Sequence, residues 1–435
     1  MKHLLRTFLL LAIISPTYAY DFKVGELYYN ITSNSEPYTV EVTYEKYNSS
    51  ENYSTLRTLS VPSSVTDNGV TYIVTCIGDC AFWQCKALSS VTLSNNIKNI
   101  GDHSFASCTD LQSIILSDSL LSLGAYAFDA CWDLASITLP NNITKIGEGT
   151  FHGCALMSID IPHSVISIGR RAFEATGIYR DVSNWEEEVL YINDCLIEAS
   201  KSISNTYVIK DGTRIIADHS FSFNSNLKSI TIPNSVTDIG ASAFNSCSSL
   251  SSVVIPQGVR RIWNGAFAFC SSLDSINMLD GVTSIGASSF AFCTSLTSIT
   301  LPSSIRHIEA SAFGSCTALK SVEMQKGIES IGQGAFSLCY SLNSVTCKAI
   351  EIPQIDTNVF IHSSQTSATL YVPSLSLKKY KSAEQWRDFG TILPIEGTDV
   401  ENIHTNSTCT NKILKNNQLI ILRDGKTYDI LGKEL

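Results

Sequence analysis

Apolar residues return to the same phase every 23 positions through the middle of this chain. Phe82, Phe105, Phe128 and Phe151 are 23 apart, Phe173 follows after 22, and Phe221, Phe244, Phe267, Phe290, Phe313 and Phe336 resume the 23-residue step. The columns beside the Phe repeat with it. Five residues earlier stands Ile or Leu, as in Ile77, Leu123, Ile239 and Ile331, usually followed by Gly. Three residues later stands Cys at 85, 108, 131, 154, 247, 270, 293, 316 and 339, and six later stands Leu. A Ser-apolar-x-apolar run follows, such as Ser229-Ile230-Thr231-Ile232, and Pro140, Pro233, Pro256 and Pro302 close it.

Two periodicities therefore alternate within one unit. Ala-Phe-x-x-Cys-x-x-Leu spaces its apolar groups three apart, which predicts a short helical turn. Ser-Ile-x-Ile alternates with period two, which predicts a short strand with both Ile inward. Pro stops the strand because it cannot donate to a ladder, and Gly permits the turn back. One such coil cannot bury its apolar face alone. Stacked coils can, with each strand pairing to its counterpart in the next coil.

The unit Ile-Gly-x-x-Ala-Phe-x-x-Cys-x-x-Leu-x-Ser-Ile-x-Ile-Pro resembles the BspA-like leucine-rich repeats of bacterial surface proteins, and the flanks resemble those of Bacteroidetes members. The resemblance implies an α/β leucine-rich repeat solenoid of 23-residue coils, each a short helical turn plus short parallel strands, over residues 73–350. Phe173 and Phe221 are 48 apart, so residues 174–216 read as two degenerate coils, with a domain boundary as the alternative. Within them Trp185–Ile192 and Cys195–Ile197 alternate as hairpin strands, and Asp211-Gly212 marks a turn. Residues 20–72, Tyr- and Thr-rich with turns at Asn34, Asn48 and Asn68-Gly69, read as a β-rich N-terminal cap. Residues 351–395 read as a C-terminal cap, with a strand at Ala368–Pro373 and a helix carrying Leu377, Tyr380, Ala383 and Trp386. Residues 396–435 read as a linker and a small hairpin, faintly similar to the C-terminal sorting tails of secreted Bacteroidetes proteins; a strand pair docking on the body is the other reading.

Composition narrows the partners. The 435 residues carry 30 Lys plus Arg against 40 Asp plus Glu, a formal net charge of −10, which argues against nucleic acid. With 44% hydrophobic and 16% charged residues the chain is one that packs. Lys2 and Arg6, the apolar run Leu9–Ile14 and Thr17-Tyr18-Ala19 predict a secretory signal peptide over residues 1–19. No other stretch is long and apolar enough to span a bilayer. The reading is a secreted or cell-surface chain with no transmembrane helix once the leader is removed.

The 14 Cys invite a disulfide count, but nine share one inward column whose side chains point side by side, so the prediction is a ladder of mostly free thiols. Cys76, Cys80, Cys195, Cys347 and Cys409 fall outside it. Cys76-x3-Cys80-x4-Cys85 has zinc-like spacing, yet Cys85 belongs to the ladder, and no metal or cofactor is expected. His152 near Cys154 suggests a Cys–His pair, set against the expected burial of Cys154. Gly147-Glu148-Gly149 with Gly153 is repeat turn rather than nucleotide loop. The three Glu at 186–188 read as a solvated face. No hydrolase or Walker motif is present, so an enzyme is not expected.

The candidate binding face is the outward position of each strand: Thr92, Ile115, Thr138, Asp160, Thr231, Val254, Asn277, Thr300, Glu323 and Thr346. Thr favours exposed strand sites for its own reasons, so Asp160, Asn277 and Glu323 are the more informative members. Trp83, Trp132, Phe269 and Phe292 form a second candidate patch, with packing on a neighbouring coil or cap as the alternative. The resemblance implies a non-catalytic protein or glycan binder adhering to host extracellular matrix or other cells; a structural or glycan-binding scaffold of the bacterial envelope is the alternative.

Overall fold

The computed structural model describes residues 19–46 and 52–395, together with the backbones of four strands, Asn402–Ile403, Asn411–Lys415, Gln418–Arg423 and Lys426–Tyr428. The leader expected at residues 1–19 lies almost entirely outside the described residues. The chain divides into two compact units, meeting between Val182 and Ser183. Both are parallel β-solenoids of coils close to 23 residues long.

The first unit begins with antiparallel strands Phe22–Val24, Leu27–Ser33 and Thr39–Thr43. Ser64–Asp67 and Val70–Ile77 form a hairpin whose Asn68 and Gly69 both have positive φ, 46° and 81°, the backbone that a two-residue turn of matching twist requires. Thr39–Thr43 then pairs parallel to Val70–Ile77, and that strand starts the inward ladder of Asn99–Ile100, Ser122–Leu123, Lys145–Ile146 and Ser167–Ile168. A second parallel ladder, Thr58–Ser60, Ser90–Thr92 and Ser113–Ile115, runs beside it.

The second unit opens with the antiparallel strands Trp185–Glu186, Val189–Ile192 and Cys195–Ala199, so the alternation in the degenerate segment does form a hairpin. Cys195–Ala199 passes the ladder to Ile215–Ile216 and on through Asp238–Ile239, Arg261–Ile262, Ser284–Ile285, His307–Ile308, Ser330–Ile331 and Gln354–Ile355. The outward-facing strands form two separate parallel ladders, one of Thr206–Val208, Ser229–Thr231, Ser252–Ile255 and Ser275–Met278, the other of Ser298–Thr300, Ser321–Met324, Ser344–Cys347, Thr369–Val372 and Thr391–Pro394. A short helix at Leu377–Ser382 places Tyr380 beside Trp386, both fully buried.

The turn between ladders is not a continuous helix. It is a chain of single i→i+3 turns, such as Cys85 N–H to the Phe82 carbonyl and Leu88 N–H to the Cys85 carbonyl, broken by left-handed residues two before and two after each Phe. His103, Tyr126, Ser242 and Ser288 occupy the first position, and Ser107, Ser246, Phe269 and Phe292 the second, all with φ between 53° and 60°. A non-glycine residue costs roughly 1–2 kcal/mol there. The return is that three alternate N–H groups of most turns aim at the next coil. In one coil Ser242, Phe244 and Ser246 donate to the carbonyls of Asn264, Ala266 and Ala268 at 2.9, 2.7 and 2.8 Å.

Inside these turns the Phe rings form a continuous offset stack. Phe82, Phe105, Phe128, Phe151 and Phe173 follow at centroid spacings of 5.2–5.7 Å in the first unit. Phe221 to Phe336 follow at 5.0–5.4 Å in the second, all fully buried. Phe360, one residue late at a spacing of 24, extends the stack at 5.7 Å. It is closed by edge-on contacts to Trp386 and Phe389. At the opposite end of the first unit, Tyr53 covers Phe82 at 4.9 Å.

All thirteen described cysteines are free thiols. Eight of the nine ladder Cys use the S–H on the carbonyl of the Phe one coil earlier, as in Cys131 to Phe105, Cys270 to Phe244 and Cys316 to Phe290, all 3.2 Å; Cys85, the first, uses the Asn52 carbonyl at 3.3 Å. Burial pushes the thiols up, Cys154 and Cys247 to about 12, so thiolate is scarce near neutral pH. Thr176 replaces Cys with a hydroxyl bound to its own Phe173 carbonyl. Asn224, in the same column, has neither amide atom paired.

Two outcomes follow from the stack. Phe267→Ala should cost about 3–5 kcal/mol of unfolding free energy, measured by denaturant titration, and Phe267→Leu clearly less. In native protein Cys154, Cys247 and Cys339 should resist alkylation at pH 8 while half-buried Cys76 and Cys80 react first; all should label after unfolding, as read by mass spectrometry.

Candidate functional site

The outward positions of the second ladder form the most regular surface of each unit. Short strands place alternate residues on opposite faces, so burying Ile230 and Ile232 turns Thr231 to solvent. In the first unit Thr92 pairs in register with Ile115 and with Ser60 before it, and Ile115 is 64% exposed. Thr138 and Asp160 are exposed too, but their segments make no ladder strand, so the paired row stops at Ile115. In the second unit Val208 pairs with Thr231, and Val254 with Asn277, all exposed. Exposed Thr300 pairs with Glu323, Glu323 with Thr346, Thr346 with Tyr371 and Tyr371 with Leu393.

Val208, Tyr371 and Leu393 thus join the row: Val208 stands in step, 23 residues before Thr231, inside the segment read as degenerate, whereas Tyr371 and Leu393 lie out of phase. The step from Thr346 to Tyr371 is 25 residues, and the signal that finds it is the alternation Thr369-Leu370-Tyr371-Val372 rather than the period. The row is largely uncharged. Its acid, Glu323, is half-buried and engaged: Lys348 Nζ lies 2.6 Å from Glu323 Oε1, and Gln325 Nε2 donates to the same oxygen at 3.1 Å. The bond from Lys348 holds the Glu323 carboxyl below its ordinary value, with Gln325 adding to it. Asn277, exposed, remains the more available polar member.

The turn face carries different chemistry in the two units. In the first, His103 stacks on Tyr126 with ring centroids 5.1 Å apart, the Tyr126 hydroxyl donates to Glu148 at 3.0 Å, and His152 Nδ1 lies 2.7 Å from Asp129 Oδ1. His152 therefore faces a carboxylate, while the Cys154 thiol points inward to the Phe128 carbonyl at 3.1 Å. They do not form a nucleophile–base pair. Trp83 is half-buried and Trp132 exposed. Several acids that look free in sequence cap backbone instead: Asp79 accepts from Asp102 N–H, Asp102 from Ala125 N–H and Asp218 from Ala241 N–H, each at 2.7 Å. In the second unit Phe269 stacks on Phe292 with centroids 4.5 Å apart and a 6° interplanar angle, and both rings stay open to solvent.

Concave features are shallow. One hollow beside the N-terminal strands is lined by Asn30, Glu41, Cys76, Asp79 and Asn99. Burial, with a smaller push from Asp79, raises the Glu41 carboxyl, against a bond from Asn30. Among the described residues no group of three or more His, Cys, Asp or Glu could hold a metal ion, and no helix is long and apolar enough to cross a membrane.

The Glu323–Lys348 pair yields a pH prediction. A carboxyl held low in the folded state adds stability above its unfolded value of about 4.3 and loses it as pH falls through the folded value. Lys348→Met should therefore lower stability at pH 7 by under about 1 kcal/mol, since both groups are partly exposed. In paired denaturant titrations the difference from wild type should vanish below that range and shrink in high salt.

The repeat geometry has counterparts elsewhere. A model of the BspA type Leucine rich repeat region, in six copies, matches residues 52–179, 192–316 and 261–381. Among solved structures, a leucine-rich repeat protein from Bacteroides ovatus is 25% identical over 75% of this chain and 94% of its own, with a TM-score of 0.31. One from Eubacterium ventriosum is 25% identical over 75% and 90%, with a TM-score of 0.41. A leucine rich cell surface protein from Faecalibacterium prausnitzii is 24% identical over 76% and 94%, with a TM-score of 0.31. No curated protein sequence matches. The matched segments cover well over half of the chain, with the Phe, Cys and Leu columns in phase, and on that ground the protein belongs to the BspA-type leucine-rich repeat family.

Proposed function

We propose that this chain is a non-catalytic binding protein that works outside the cell, exported by the leader at residues 1–19 and acting in adhesion to host extracellular matrix or to other cells. The observation that carries the reading is the outward strand row of the second unit. Val254 and Asn277 stand in register on one parallel ladder, and Thr300, Tyr371 and Leu393 on the next one along the chain, with paired strands about 4.8 Å apart. Such a surface is pre-organised, so a partner ordering against it meets little additional entropy cost. It is flat and mostly uncharged with one aromatic, which suits a broad macromolecular contact more than a small molecule, whose sites are concave. Family membership supports a binding role at a surface.

The test uses the chain from Tyr20 onward in binding assays against immobilised matrix proteins, whole cells and envelope fractions. Adhesion predicts saturable binding to matrix protein or cells. Val254→Asp combined with Tyr371→Ala should weaken it about tenfold without altering the thermal midpoint. Binding confined to envelope material would instead support the scaffold role, and binding indifferent to the double substitution would remove the strand row from consideration.

A further inference from the structure

From residue 241 onward the turn face of the second unit carries an uncharged aromatic and hydroxyl surface that folding does not explain. Residues 241–250, 264–273, 287–296, 310–319 and 333–342 contain no Asp, Glu, Lys, Arg or His. The corresponding turns of the first unit carry Asp79, Lys86, Asp102, His103, Asp129, Glu148, His152, Arg171 and others. Within the charge-free turns, the left-handed position after the core Phe holds Ser246, Phe269, Phe292, Ser315 and Leu338; Phe223 holds it in the coil before, whose turn carries Asp218 and His219. Ser, Ala and Gly elsewhere in this column show that the turn needs no aromatic there. A bulky ring gains nothing from a left-handed backbone, and these rings are not core. Phe223 is 62% exposed, Phe269 48% and Phe292 44%.

We propose that this face binds an electrically neutral polysaccharide lying along the coil stack. The Phe269–Phe292 pair makes an apolar ledge with rings nearly parallel, and Phe223 stands two coils away, about 10 Å along the stack. Around the rings are half-buried or exposed hydroxyls and amides: Ser242, Asn245, Asn264, Ser271, Ser288 and Thr294. A pyranose chain has the complementary surface, with C–H faces that lie on aromatic rings and hydroxyl rims that exchange hydrogen bonds with Ser, Thr and Asn. The coil repeat is close to the length of one sugar in an extended chain. Rings one and two coils apart therefore meet sugars in step. Charge decides against the other ligands. A sulfated or uronic-acid glycan, a nucleic acid or an acidic headgroup would find no cation within the five charge-free turns, and a charged protein surface would find no counter-charge there; the charges beside Phe223 are already engaged, Lys201 on the Ser222 carbonyl and Asp218 on the Ala241 N–H. This face is distinct from the strand row, so either assignment can fail without the other.

The measurement is affinity electrophoresis and calorimetry of the chain from Tyr20 onward with neutral mixed-linkage β-glucan, galactomannan and arabinoxylan, and with heparin as the charged control. The key variant is Phe269→Ser with Phe292→Ser, because Ser already occupies this column at positions 246 and 315. Its thermal midpoint should equal or exceed that of wild type. Expected is retardation by at least one neutral polysaccharide, unchanged between low and high salt, and weakened about tenfold or more in the double variant. Val254→Asp with Tyr371→Ala should leave it intact. Binding to none of the neutral polysaccharides, binding to heparin alone, or equal binding by the double variant would overturn the proposal. So would wild type that self-associates through this face, with the double variant monomeric and no glycan bound.

Discussion

Most turns of this protein aim three amide hydrogens at the coil ahead, and the structure depends on that alignment. The buried Phe, flanked by left-handed residues on both sides, is what holds it. Without the ring the left-handed residues would carry their strain unrepaid; without the left-handed residues the donors would not point along the stack. The Cys thiol completes the unit by reaching back to the Phe carbonyl of the previous coil. Most polar groups of the turn are thus used within it or between neighbours, which is why the same few residue types recur. A substitution in one column is felt in two adjacent coils.

That division of labour leaves the outside of each coil unconstrained. The inward Ile, Leu and Phe columns close the interior, and the ladders satisfy the backbone, so outward strand and turn positions can vary in chemistry without cost to the fold. The second unit uses this freedom in two ways, a strand row of short side chains ending in Tyr371 and Leu393, and a turn face stripped of charge. The first unit spends it on Asp129–His152, His103–Tyr126 and Tyr126–Glu148 contacts. Similar coils therefore carry two different surfaces.

The solenoid and its inward columns were legible in the sequence because one repeat unit is too small to stand alone and must be copied in phase. Phe360, Tyr371 and Leu393 escaped the period because one- and two-residue insertions shift the phase while the alternation persists. Thr138 and Asp160 were placed on strands by analogy with their neighbours, yet their segments make no ladder pairing, since the buried pairs Ile137 and Leu139, and Ile159 and Ile161, suffice to seat them. The left-handed residues were hidden: Ser, Ala, Gln and His there give no common signature, and the constraint lies in hydrogen-bond direction, which spacing does not report. Glu323 read as a free contact because Lys348, 25 residues on, is its partner only across the ladder.

The thiol column has a consequence for how the molecule is made. A fold secured by unpaired sulfhydryls needs no oxidase, no isomerase and no selection among cysteine pairings as it matures. Among the described residues, a passing reductant has no disulfide to cleave.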